Sequence, residues 1–308
     1  MSTKQVSRMR LKCLIFGWIA TMLLGVSDAN ASILTLYDGS SGVTPDGFTP
    51  QQLNFFSVAG GTETYRPAEQ ATELQTTTVQ YAGYSNFTPA GALVNANFPL
   101  LDRLAGYQIK FTMNLLEESH TSDSRAGFSL LAVSSDAAAG ALASIEIGIQ
   151  GDRIFSQETG FTTGESAAFD AQSKGYVDYE LDVKGSTYSF KADGAQLLTG
   201  SLRDYTSWDS GPLPDPYEIP NFIFFGDNTT SAAATIYFKS AHLVQPVPEP
   251  DSILILSLCL GGVLLYRVIQ GRRPPASCPK SQQAVVLSTK TRVEGVFEVA
   301  IFGETTRR

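Results

Sequence analysis

Hydrophobic and polar residues alternate with a period of two over most of residues 32–245, and that period predicts strands. Ile33 to Tyr37 opens the series, and Asp38-Gly39-Ser40 ends it. Leu53 to Val58 follows, closed by Gly60-Gly61, and Leu74 to Tyr81 is Thr-rich and extended. Tyr81 to Ser85 is read as entering a loop that continues through Pro99. Tyr107 to Leu116 places Ile109, Phe111, Met113 and Leu115 on one face. Arg125 to Ser134 is apolar on both faces, which predicts a central strand. Asn221 to Phe225 and Thr235 to Val244 complete the set. Asp136 to Ala143 could form a turn or two of helix; no other segment of residues 32–245 suggests one. About a dozen strands joined by Gly, Asn and Asp turns predict an all-β fold with two packed sheets.

Two hairpins can be registered residue by residue. Gly151-Asp152 is a two-residue turn, so Gln150 faces Arg153, Gly148 faces Phe155 and Glu146 faces Gln157. Ile145, Ile147, Ile149 and Ile154 then point to the core. The opposite face, with Glu146, Gln150, Arg153, Phe155 and Gln157, is expected to be solvated. Gly185-Ser186 pairs Val183 with Tyr188, Leu181 with Phe190 and Tyr179 with Ala192. Its other face matches Glu180 to Lys191, opposite charges in opposition.

Outside this region the pattern changes. Lys4, Arg8, Arg10 and Lys12 precede an apolar run from Cys13 to Val26, and Ala29-Asn30-Ala31 offers a small-x-small cleavage site. These are the three parts of a secretory signal peptide over residues 1–31. Near the other end, Ser252 to Tyr266 carries no charge. As a helix it would be about 22 Å long, short of a bilayer core of about 30 Å, and continuing to Ile269 closes the gap. Asp251 lies on one side and Arg267, Arg272 and Arg273 on the other, so a transmembrane helix over 252–269 should end on the cytoplasmic side. The tail 274–308 has no evident role.

Charge and cysteine content narrow the function. Residues 32–246 hold 10 Lys and Arg against 24 Asp and Glu, a net of −14, which disfavours nucleic acid as a partner. They hold no cysteine: Cys13, Cys259 and Cys278 all lie elsewhere, so the domain must stand on its core without disulfides. No nucleophile elbow, zinc-binding pair, phosphate loop or cysteine pair is present, and no catalytic or metal residue is assigned. No cofactor is expected. Asp102, Asp123, Asp136 and Asp227 are loop carboxylates that could contribute to a calcium site, but none sits in a dense ligand loop. Glu117 and Glu118 are adjacent, hence on opposite faces of a strand, and cannot act as an acid–base pair.

The candidate ligand-binding residues are His120, Arg125, Glu146, Phe155 and Gln157. His120 and Arg125 flank the polar loop Ser119 to Ser124 and could be a base and a carboxylate clamp, or could satisfy a loop end and a sheet-edge carbonyl. Glu146, Phe155 and Gln157 offer an aromatic platform with carboxylate and amide partners, as sugars require. If that face is open, removing Phe155 should leave thermal stability nearly unchanged. His242 is read as a plain surface or edge residue.

Pro248-Glu249-Pro250, the apolar span and the basic cluster after it resemble the PEP-CTERM sorting signal of bacterial surface proteins. That resemblance implies an exosortase-type processing enzyme as partner, acting near the Pro-Glu-Pro element. The extra residues after Arg273 depart from the family pattern. Tyr179 to Gly200 is similar to the strand cluster of concanavalin-like, laminin-G-like jelly rolls. Tyr81 to Asn86, Leu101 to Tyr107, Glu118 to Ser129, Ser201 to Tyr205 and Pro214 to Ser231 resemble the choice-of-anchor family, type Y. The resemblance implies a two-sheet jelly-roll sandwich held at the membrane or cell surface, with a structural or adhesive role in the envelope or exopolysaccharide matrix. It implies no activity. A carbohydrate-binding, lectin-like module is the alternative; a polysaccharide lyase or glycosidase on the same scaffold is a third reading. The lyase would need His, Tyr and Arg on one concave face, and the glycosidase two carboxyls about 5–10 Å apart.

Overall fold

The computed structural model describes residues 31–79, 81–208 and 215–246. The expected signal peptide over residues 1–31, all but Ala31, together with the Pro-Glu-Pro element, the helix over 252–269 and the tail, lies outside the described residues. Among the described residues no helix is long and apolar enough to cross a membrane.

Among the described residues the chain forms fifteen strands. They are β1 (Ala31–Asp38), β2 (Asn54–Ser57), β3 (Thr62–Arg66), β4 (Ala71–Gln75) and β5 (Ala82–Ser85). Then come β6 (Tyr107–His120), β7 (Ser129–Val133), β8 (Ser144–Ile149), β9 (Arg153–Gln157) and β10 (Thr163–Ala168). The last five are β11 (Tyr176–Lys184), β12 (Thr187–Ala192), β13 (Ala195–Ser201), β14 (Phe222–Asp227) and β15 (Ala232–Pro246). Every pairing is antiparallel. An eight-stranded sheet runs β13-β12-β11-β6-β15-β4-β3, and β1 also pairs with β15. A seven-stranded sheet runs β10-β9-β8-β7-β14-β5-β2. The all-β, two-sheet expectation holds.

The larger sheet shows why the period-two signal was strong. In β6, Ile109, Phe111, Met113 and Leu115 are buried while the residues between them are only partly covered. β15 follows the same rule with one shift. Ala234, Ile236 and Phe238 point inward, then a bulge at Lys239 moves the inward positions to Ala241 and Leu243. The bulge lets β15 divide one flank between two partners: β4 pairs with Thr235 to Phe238, and β1 with Ser240 to Pro246. His242 therefore sits between Thr35 of β1 and Lys110 of β6, inside the sheet rather than on an edge. Its Nδ1 is buried without a partner, and burial pulls its pKa down.

Both registered hairpins form as read. Gly148 faces Phe155, and Glu180 faces Lys191 across a 2.6 Å ion pair. Four segments depart from the sequence reading. β3 and β10 were not anticipated, the strand read at Leu74 to Tyr81 forms earlier, over Ala71–Gln75, and Ala82–Ser85, read as loop, is β5 in the smaller sheet. Gly83 explains the last. A Cβ there would meet Phe225 O at 2.4 Å and Gly226 Cα at 2.8 Å, so a glycine that looks like a loop signal is needed for close strand approach. Asp136 to Ala143 forms turns rather than helix, with Ala137 N–H bonded to Ser134 O and Ala141 N–H to Ala138 O, and Gly140 at φ 81°.

Candidate functional site

The smaller sheet is buried on both faces, and the site follows from that. Leu130, Ala132, Ile145, Ile147, Ile223 and Phe225 face the larger sheet. On the other face Leu131, Val133, Phe222 and Phe224 pack under a second cluster built by Tyr205 and Tyr217, with Phe161 and Trp208 beside them. The face expected to be solvated is thus roofed by loops. Glu146, Gln150 and Gln157 are 6%, 1% and 4% exposed, and Phe155 is 1% exposed.

Polar residues survive there because the roof supplies polar partners. Gln150 Nε2 donates to Arg125 O at 2.6 Å, and Gln157 Nε2 donates to Ser124 O at 3.0 Å. Tyr217 Oη donates to Glu146 Oε2 at 2.5 Å and accepts from Asn228 Nδ2 at 2.9 Å. Tyr205 Oη donates to Gln157 O at 2.6 Å. Buried groups must be paired in this way or pay desolvation, so the polar residues of β8 and β9 tie down the roof instead of facing water.

Between sheet and roof lies a cavity of about 310 Å³. Phe161, Trp208 and Tyr217 form an aromatic wall, with Phe222 and Phe224 of β14 contributing from the sheet. The rings lock one another: Tyr217 lies 5.4 Å from both Phe161 and Trp208 and 5.0 Å from Tyr205. Phe161 sits at φ 55°, a left-handed conformation that a bulky side chain adopts only when its surroundings enforce it. Arg125 secures it, donating from Nη1 to Phe161 O at 2.6 Å while its guanidinium lies 5.5 Å from the Phe161 ring. Asn228 to Ser231, the link from β14 into β15, forms another part of the lining. Asp227 shapes that link by accepting from Thr229 N at 2.7 Å and Thr229 Oγ1 at 2.8 Å.

Among the described lining residues Arg125 is the one cation and Glu146 the one carboxylate. Burial raises the Glu146 pKa, and hydrogen bonding from Tyr217 works against that rise. Burial next to the Glu146 charge pushes the Tyr217 hydroxyl well above its ordinary value, so it remains a donor.

Three of the five candidate residues meet here: Arg125, Glu146 and Gln157. Phe155 does not. It is sealed against Gly148, where a Cβ would come within 2.6 Å of its ring. His120 also lies apart, its Nδ1 3.0 Å from Glu118, whose buried carboxylate also accepts from the N–H groups of Gly127 and Gly151. That contact lies at the end of β6. The four loop aspartates are dispersed: Asp102 caps its own turn, Asp136 pairs with Arg103, Asp227 is buried with Thr229, and Asp123 offers its carbonyl to Arg153. Sequence reasoning missed Phe161, Trp208, Tyr217 and Asn228. A signal was present, since Trp208 is one of only two tryptophans and stands with Tyr205 and Tyr217 at a Pro-rich loop.

No family model matches the chain, and no curated protein matches it. Solved structures do show likeness. A carbohydrate esterase from the Shiga toxin-encoding bacteriophage phi24B is 13% identical with a TM-score of 0.47, covering 70% of this chain and 100% of that one. A protein of unknown function with a galectin-like fold from Bacillus subtilis is 12% identical with a TM-score of 0.38, covering 69% and 97%. Alginate lyase A1-II′ is 11% identical with a TM-score of 0.39, covering 71% and 96%. All three scores are low, and the chemistry of the cavity is read from its own residues.

Proposed function

We propose that this chain is an exported bacterial surface protein whose sandwich, of the lectin-like jelly-roll kind, binds carbohydrate in the Glu146 cavity. One observation carries the reading: Phe161, Trp208 and Tyr217 line a space of about 310 Å³ together with Arg125, Glu146 and Gln157. Sugar rings stack their C–H faces on aromatic rings, and polar groups beside those rings orient them; here Gln157 Nε2 and Glu146 Oε2 are already bonded within the protein, which leaves the aromatic wall and Arg125 as the main contacts. The volume is at the small end of ligand pockets, which run from about 300 to 1,000 Å³, and suits a single ring or chain end. With one carboxylate and no histidine among the described lining residues, the arrangement supports holding a glycan rather than cleaving it.

A glycan array probed with the purified chain tests this. Selective retention that is lost in Trp208→Ala, with melting temperature within a few degrees of the parent, is expected. Equal retention by that variant would remove the cavity from the account, and absence of retention across the array would leave a passive surface scaffold.

The reading includes attachment at the membrane. Its support is the ordered series Pro248-Glu249-Pro250, uncharged run and arginine cluster, which begins two residues after β15 ends at Pro246. An exosortase-type enzyme would act at that element, placing the sandwich at the surface as an adhesive or matrix component.

A further inference from the structure

We propose that the cavity selects an acidic sugar, seating the carboxylate of a hexuronate on the Arg125 guanidinium while the ring lies against the Trp208 and Phe161 side chains. This rests on the carbohydrate reading above and names its ligand class. Arg125 spends only Nη1 on the protein, donating to Ser124 O at 2.8 Å and Phe161 O at 2.6 Å. Among the described residues its Nε and Nη2 have no hydrogen-bond partner, and it makes no ion pair there. A guanidinium fixed by two carbonyls and a ring at the lining of a cavity, with Nε and Nη2 not used by the described residues, is prearranged for a carboxylate, which takes two parallel N–H donors. Glu146, the carboxylate of the same lining, is buried with its Oε2 taken by Tyr217; it feels the Arg125 charge but forms no ion pair with it among the described residues. The net charge of −14 over residues 32–246 repels anions at long range. A lone cation in the cavity of so acidic a domain is therefore a local provision for one negative group, not part of a basic field.

The test is titration of the full chain, purified in detergent, with galacturonate and glucuronate, each beside its methyl ester and the matching neutral hexose. Trp208 fluorescence is the readout, since the only other tryptophan is Trp18. The acid should bind about tenfold or more tighter than its ester, the scale of one charge-assisted bidentate contact. That ratio should shrink as salt is raised, and Arg125→Gln should reduce acid binding to the level of the ester. Because Arg125 also supports Phe161, Arg125→Lys is measured in parallel; it should fold and retain a smaller preference for the acid. Acid and ester binding alike, or an unchanged ratio in Arg125→Gln, overturns the acidic-sugar assignment alone. Failure of every sugar, neutral ones included, overturns the carbohydrate reading with it.

Discussion

At the scale of single residues, the polar positions of β8 and β9 show what composition hides. Glu146, Gln150 and Gln157 look like a solvated face, yet each is buried because a loop backbone or a tyrosine hydroxyl supplies its partner. Three residues that line the cavity, Arg125, Glu146 and Gln157, stood out in the sequence as guanidinium, carboxylate and amide. Their roof did not, because it comes from Phe161, Trp208 and Tyr217, distant in sequence and aperiodic. Phe155 shows the cost of that gap. It is 1% exposed, so Phe155→Ala should lower stability by about 3–5 kcal/mol in chemical denaturation, where an open face would have predicted almost no change. Titration gives a second residue-scale prediction. Burial and the neighbouring Asp46 push Glu63 from 4.5 up to about 8. Burial likewise pushes Asp227 from 3.8 up to about 7. A carboxyl with a raised folded value binds its proton more tightly when folded, so stability is highest below the unfolded value and declines as pH rises toward the folded one. Melting temperature should therefore fall between about pH 4.5 and 8, and Glu63→Gln should remove part of the fall. The gain at pH 8 should be a few degrees, since about 1 kcal/mol moves the midpoint of a domain this size by about 2–4 °C. A flat profile in the parent would contradict the buried, protonated state of both groups.

At the scale of elements, register was the most readable feature. Two-residue turns and a strict period leave few choices, so Gly148 against Phe155 and Glu180 against Lys191 followed directly. What escaped was any element whose local signal serves a long-range contact. β5 carries Gly83 because β14 passes too close for a side chain, and Gly83→Ala should place its methyl against Phe225 O, a backbone atom that cannot rotate away. That variant should fail to reach the native fold or lose several degrees of melting temperature; an unchanged melting curve would mean that β5 and β14 can separate at little cost. The β15 bulge is a second case. Alternation switches parity at Lys239, a shift that a window of fixed period reads as a weaker strand than the one that forms.

At the scale of the whole molecule, the two-sheet all-β architecture was legible from strand number, turn chemistry and the near absence of helical periodicity. Which face of the smaller sheet would be covered was not, since coverage depends on loops folding back over it. Stability at this scale rests on packing. Residues 32–246 contain no cysteine, so melting of this unit should be the same with and without reductant; a shift would point to Cys13, Cys259 or Cys278. Attachment is tested in the native host. Replacing Pro248-Glu249-Pro250 should leave a longer, membrane-held product on a gel, and normal processing would remove the sorting assignment.

The position of β15 has a mechanical corollary. The cavity is lined at Asn228 to Ser231, just before β15 begins, and the chain leaves the sandwich at Pro246, where β15 ends. A pull on the chain beyond Pro246 would load this one strand directly. β6 grips it on one side, β4 and β1 on the other, through bonds lying across the line of pull. The load would be met in shear by many bonds at once rather than by peeling them singly.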